Sequence, residues 1–162
     1  SRPEDARVVE GEATAASESR LSIWIMPLNG RLVTGFGELA SRGVERERGG
    51  NLGGEIGGAL GGQARSRGLI LEARTNAQAV VPAPGRVAYA GRYRGYGQIV
   101  IIEHDGGWVT LVTGLARLNV SVGQQVVAGS PLGTTGPGEP QVGVELRHNG
   151  EAVNPLSYLK SL

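Results

Sequence analysis

From residue 68 onward, short β-branched and apolar stretches recur between Gly, Pro and Asn punctuation: GLILEA, AVVPA, RVAYA, QIVIIEH, WVTLVTGL, SVGQQVV and QVGVELR. Runs of this length with period-two character predict strands, and none keeps the three-to-four spacing of an amphipathic helix. The chain is therefore read as mainly β, with antiparallel pairing. Upstream, IWIMPLNGRLVTGFGE has apolar pairs broken by Pro27 and by Asn29-Gly30. That pattern predicts an entering strand, a tight turn and a second strand. In QVGVELR, alternation sends Val142, Val144 and Leu146 to the core and leaves Gly143, Glu145 and Arg147 on the opposite face. Counting in twos along WVTLVTG puts Trp108, Thr110 and Val112 on the same face as Gly114.

Two segments depart from this pattern. Residues 1–22 are polar and rich in Ala, Glu and Ser, and read as a tail or the end of an upstream helix. Residues 39–66 form a glycine-rich insert in which Gly-Gly pairs at 49–50, 53–54, 57–58 and 61–62 recur every four residues. Glycine has much conformational entropy to lose and nothing to bury, so the insert reads as a loop. Leu52, Ile56 and Leu60 share that spacing and offer a helical lid as a second reading. The glycine helix penalty of about 1 kcal/mol per residue weighs against it. A phosphate cradle is excluded because no Lys-Ser/Thr follows the glycines.

Composition narrows the chemistry. The length suits a single domain with a core of its own, and a formal charge of +1 gives no reason to expect nucleic acid. No run is long and apolar enough for a bilayer span, so direct membrane insertion is not expected. Ser1 opens the sequence without a methionine or a signal segment, as expected of a processed fragment. The absence of cysteine permits an extracytoplasmic location without requiring one. There are only two histidines. His104 ends an apolar strand before a Gly-Gly turn and reads as a hydrogen-bonding residue, with Asp105 in the turn; the pair specifies no nucleophile. His148 precedes Asn149-Gly150, a hairpin signal, and reads as solvated.

Four segments fit together: VVPAPGRVAYAG, RGYGQIVIIEHDGGWVTLVTGL, VSVGQQVVAGSPLGTTG and VGVELRHNGEAVNPLSYL. Their order resembles the LytM, or lysostaphin-like, zinc endopeptidase domain over roughly residues 24–160, with the glycine insert interrupting it. The resemblance implies an antiparallel β domain of the duplicated hybrid-motif type over residues 23–162. Active members of that family carry a His-x-Gly-x-Asp segment, a histidine after the WVTL-like strand, and a His-x-His pair before Glu-Leu-Arg. On those positions this chain has Ser66 and Ile70, then Gly114, then Gln141 and Gly143. Isoleucine and glycine have no ligand atom and serine is a poor one. Without a metal, water keeps a pKa near 15.7 instead of about 7, and the usual hydroxide nucleophile is lost. The resemblance thus implies a pseudoenzyme, with no catalytic residue, no metal and no cofactor. Biotinyl and lipoyl carriers need a lysine at a hairpin tip, whereas Lys160 is terminal; phosphocarrier domains need a reactive histidine.

Metal-free members of the LytM family, the EnvC-like proteins, activate periplasmic N-acetylmuramoyl-L-alanine amidases during daughter-cell separation. This chain is similar to that branch in RGLIL, RGYG and ELRHNGEAVNP, and departs from it in the insert and at Gly143. The implied role is a periplasmic activator, with a cell-wall amidase as partner and peptidoglycan as a second one. The implied binding groove is built from Arg67, Ile70, Tyr96, Val112, Gly143, Glu145 and Arg147. Apolar pockets accept side-chain anchors and arginine forks onto carboxylates, so such a groove suits a peptide or helix. For Arg147, pairing with Glu145 and direct contact with a partner stand as equal readings. A peptidoglycan-binding targeting module is the alternative, followed by an active zinc endopeptidase.

Overall fold

The structure is a computed structural model, and it describes residues 21–39 and 65–160. Eleven strands are present among them: β1 (Arg31–Thr34), β2 (Leu69–Glu72), β3 (Gln78–Val80), β4 (Gly85–Arg92), β5 (Gln98–Glu103), β6 (Trp108–Leu115), β7 (Arg117–Leu118), β8 (Gln125–Val126), β9 (Pro131–Thr134), β10 (Gln141–His148) and β11 (Glu151–Val153). Short 3-10 turns at Asp105–Gly107 and Pro155–Tyr158 are the only helical pieces among the described residues. Every paired strand is antiparallel.

The main sheet runs β1-β2-β10-β6-β5-β4-β8, with β11 hydrogen-bonded to β10; the smaller one runs β3-β9-β7. The core lies against one face of the main sheet. Val142, Val144 and Leu146 of β10, Val100 and Ile102 of β5, and Trp108 and Val112 of β6 meet Val81 and Leu132 there. Burying each such aliphatic side chain is worth roughly 1.5–3 kcal/mol, which makes this face the main source of stability. The β10–β11 turn is the Asn149-Gly150 hairpin expected from sequence. Both residues take positive φ, 52° and 88°, the backbone a tight two-residue turn needs.

The long strands match their expected segments. The entering strand does not form: Ile23–Met26 makes a single bridge, Trp24 to Lys160. Pro27 lacks a backbone N–H, and the Trp24 side chain is instead fully buried in the core. SVGQQVV contributes only Gln125 and Val126 to pairing, while Val122 and Val127 are exposed. Strand β9 had no signal of its own; it is completed by β3 on one side and β7 on the other. Leu21, within the segment expected as a tail, is buried. The interior of the glycine insert lies outside the described residues. Its ends meet in a bridge between Leu39 and Arg65 that prolongs the β1–β2 ladder.

Candidate functional site

The face of the main sheet opposite the core carries Ile70 and Gly143, two of the positions singled out in the sequence. Antiparallel register sets Ile70 of β2, Gly143 of β10 and Thr113 of β6 side by side. One step along, Glu145 lies opposite Leu111, and Arg147 opposite Val109. Side chains directly opposite in an antiparallel pair share a face, so these residues form adjoining rows. A groove of about 110 Å³ opens over them, lined by Ser66, Gly68, Ile70, Tyr96, Leu111, Thr113, Gly143 and Glu145. Gly114 and Gln141 are not in its lining but adjoin each other: a Cβ on Gly114 would sit 2.3 Å from the Gln141 carbonyl oxygen. Ser66, Ile70 and Gly143 therefore line one groove although they span 66 to 143 in sequence.

They do not fit a zinc ion. The Ser66 hydroxyl donates to the Gly68 carbonyl at 2.7 Å, so it is committed to a local turn. Ile70, Gly114 and Gly143 present no donor atom, and Gln141 is exposed at the start of β10. Among the described residues no three His, Cys, Asp or Glu side chains come together as a ligand set.

Gly143 leaves no free space for a side chain as the groove stands, since a Cβ there would lie 2.6 Å from the Thr113 hydroxyl, which would have to turn away. Tyr96 closes the groove's far side from the Arg94–Gly97 turn. It packs with Tyr89, Tyr93, Ile101 and Val109 over buried Ile99 and Leu111, a second small apolar cluster on this face. The Tyr93 and Tyr96 rings lie 6.3 Å apart and the Tyr89 and Tyr93 rings 6.2 Å apart. The groove thus has an apolar floor and an aromatic wall.

Its charged edge is a buried ion pair. Arg147 Nε donates to Glu145 Oε2 at 2.6 Å, and the Glu145 side chain is only 7% exposed. Loss of hydration pushes the Glu145 carboxyl up to about 7, against the opposing pull of Arg147 and Arg67. Arg67, itself exposed in the segment preceding β2, acts on this carboxylate through its charge. Of the two readings for Arg147, the pairing with Glu145 is present in the structure.

Val112, Trp108 and Thr110 do not belong to this face. All three are buried in the core. Gly114 has φ 89°, which breaks the alternation just where the count began and reverses the parity of every residue before it. Leu111 and Thr113 take the places expected for Val112 and its neighbours. The signal was available: a glycine near the end of a β-rich run marks a bulge or a close backbone approach.

Both histidines lie apart from the groove. His104 is buried, with Nδ1–H donating to the Pro84 carbonyl at 2.7 Å and Nε2 accepting from the Thr110 hydroxyl at 2.8 Å. Trp24 Nε1 in turn donates to Thr110 Oγ1 at 3.1 Å. Burial depresses the His104 pKa, so the neutral ring assumed in this chain of bonds is the favoured form. His104 borders a cavity of about 390 Å³ shared with Leu21, Pro84, Asp105 and Lys160, but both its ring nitrogens are already in use. His148 is not solvated as expected. It ends β10 opposite Trp108, stacks on that indole at 4.0 Å between ring centres, and directs Nε2 to the Gly106 carbonyl.

Residues 64–155 match the family described as Peptidase family M23. Two relatives are similar in sequence. The murein hydrolase activator NlpD of Salmonella dublin is 33% identical over 156 residues, covering 93% of this chain and 35% of the relative. The murein hydrolase activator EnvC of Escherichia coli is 36% identical over 101 residues, 60% of this chain and 24% of the relative. The chain thus spans about a third or less of the length of these relatives. The catalytic domain of lysostaphin from Staphylococcus simulans superimposes with a TM-score of 0.62 at 20% identity, over 82% of this chain and 94% of that domain. That likeness is one of fold.

Proposed function

This chain belongs to peptidase family M23, and from that membership we propose that it is a non-catalytic member that activates cell-wall amidases by holding an amidase segment in the former active-site groove. The observation that supports the reading is a groove lined by Ser66, Ile70 and Gly143, residues that on the family resemblance stand at ligand positions and offer no metal site. Around Ser66, Ile70 and Gly143 lie an apolar floor and an arginine edge. Such a surface is suited to a peptide or helix with an apolar anchor. The murein hydrolase activators among its relatives support the same role. By extension the chain works in the periplasm, in peptidoglycan remodelling at daughter-cell separation. Activation follows if the groove binds the open form of the amidase more tightly than the closed form.

The test is amidase turnover on purified sacculi with and without the chain. Stimulation is expected for the wild type. Ile70→Glu places a charge on the apolar floor and Arg147→Ala removes the cationic edge, and each should cut stimulation by roughly tenfold or more, the scale of an interface hot spot. Circular dichroism establishes that both variants remain folded. Binding to sacculi with every amidase left unstimulated would instead favour a peptidoglycan-targeting module, and sacculus cleavage by the chain alone would overturn the non-catalytic reading.

A further inference from the structure

The groove holds one buried acid that the proposed docking does not use. Glu145 sits in the floor beside the apolar residues Ile70 and Leu111, with Arg147 Nε 2.6 Å away. The charged and titratable groups facing it among the described residues are few. Arg147 comes from its own strand, Arg67 from the segment before β2, and Tyr96 from the Arg94–Gly97 turn, while β6 presents only Leu111 and Thr113. Two guanidinium groups therefore act on a single carboxylate in a mostly dry setting. Glu103 of β5, two strands from Arg147, pairs instead with Arg86 of β4 at 3.9 Å, both side chains being exposed.

Consider what can enter. A cationic side chain would be repelled by two arginines and attracted by one carboxylate already bonded to Arg147. An anionic one meets Glu145 as its only opponent, and that opposition vanishes if Glu145 is neutral. Burial makes neutralisation easy, because loss of hydration penalises the charged form. A neutral Glu145 also gains an O–H that can donate to an incoming carboxylate, a short charge-assisted hydrogen bond.

Resting on the reading of this groove as a protein-binding site, we infer that it selects a partner segment bearing an aspartate or glutamate beside an apolar anchor, and that this carboxylate displaces Glu145 from Arg147 as Glu145 takes up one proton. One proton moves from solvent to a Glu145 oxygen. The Arg147 Nε–H bond to Oε2 breaks, and a new one forms to the partner's carboxylate. Glu145 acts as a resident competitor that keeps the arginine occupied until the right acid arrives.

The consequence is affinity linked to pH with a definite sign. With the Glu145 carboxyl at about 7, the neutral form rises from roughly a tenth at pH 8 to roughly nine-tenths at pH 6, and apparent affinity scales with the competent fraction. The partner's own carboxyl stays ionised across that range.

The probe is the peptide acetyl-Leu-Glu-Leu-amide, with acetyl-Leu-Gln-Leu-amide and acetyl-Leu-Lys-Leu-amide as controls. Each is titrated into the full chain labelled with carbon-13 at glutamate carboxyls and followed by NMR. The Glu peptide should bind about tenfold more tightly at pH 6 than at pH 8, and the midpoint of the Glu145 signal should rise when it is bound. Glu145→Gln, a permanent mimic of the neutral acid, should bind with the pH dependence abolished. Equal binding of the Gln peptide, tighter binding of the Lys peptide at high pH, or a Glu145 midpoint unmoved by the Glu peptide each overturns the inference. The last readout needs no variant and holds even if Glu145→Gln fails to fold. Because no amidase is present, this result is independent of whether the chain stimulates one.

Discussion

Thr110 is fully buried in β6 and its hydroxyl is spent twice, accepting from Trp24 Nε1 and donating to His104 Nε2. Removing it strands two buried polar groups, each of which then bears its desolvation cost. Thr110→Val, of similar shape, should therefore destabilise the domain by about 1–3 kcal/mol at pH 8, measured by urea unfolding. A loss within error of zero would mean that the chain of bonds does not contribute. The neighbouring histidine adds a pH dependence. Its folded pKa lies below the ordinary 6.5, so the stability contributed by neutral His104 is complete above pH 6.5 and is lost as pH falls through the folded value. Local sequence identified His104 as a hydrogen-bonding residue. It could not identify the partners, because Pro84 is 20 positions away and Trp24 joins Thr110 across 86. His148 was misread for a related reason: a residue beside a turn is solvated only if nothing flat stacks on it, and Trp108 does.

At the scale of the element, β6 shows how a single backbone angle decides which side chains reach the site. Gly114 holds φ 89°, and a Cβ there would lie 2.3 Å from the Gln141 carbonyl oxygen. Both strain and close approach oppose any side chain, so Gly114→Ala should cost about 1–3 kcal/mol. The same chemical unfolding measures it, and a neutral result would show that β6 can regain regular alternation. Strands β2, β4, β5, β6 and β10 were legible because each is an apolar run long enough to carry its own pattern. Strands β7, β8 and β9 have two to four residues each and exist only through pairing with remote partners. The parity of β10 was also legible, since no bulge interrupts it between Gly143 and His148. That of β6 was not, because periodicity assumes an extended backbone and Gly114 departs from it. The groove face accordingly holds Ile70, Gly143 and Glu145, the last bonded to Arg147, with Leu111 and Thr113 in the places given to Val112 and its face.

For the whole molecule, the question is whether a fold shared with zinc peptidases still binds zinc. The described residues bring no ligand set together, and the chain has two histidines and no cysteine in all. One histidine has both nitrogens bonded within the core, and the other is stacked on Trp108 and bonded to Gly106. Recruiting His104 to the groove would mean taking it out of the core on the opposite face of the sheet, and no rotamer change accomplishes that. A metal that binds the native state and not the unfolded chain raises stability by mass action, by about 2.7 kcal/mol at a hundredfold excess over its Kd. For a domain of this size that corresponds to a rise in Tm of roughly 5 °C or more. Excess zinc should leave the Tm of this chain unchanged, and chelator treatment of the purified protein should lower neither its Tm nor its affinity for a groove peptide. A saturable rise with one equivalent of zinc would mean that ligands gather in a way the described residues do not show. If the metal leaves the fold indifferent, the groove is maintained by the packing of β2, β6 and β10 alone, and selection on it acts through what it binds.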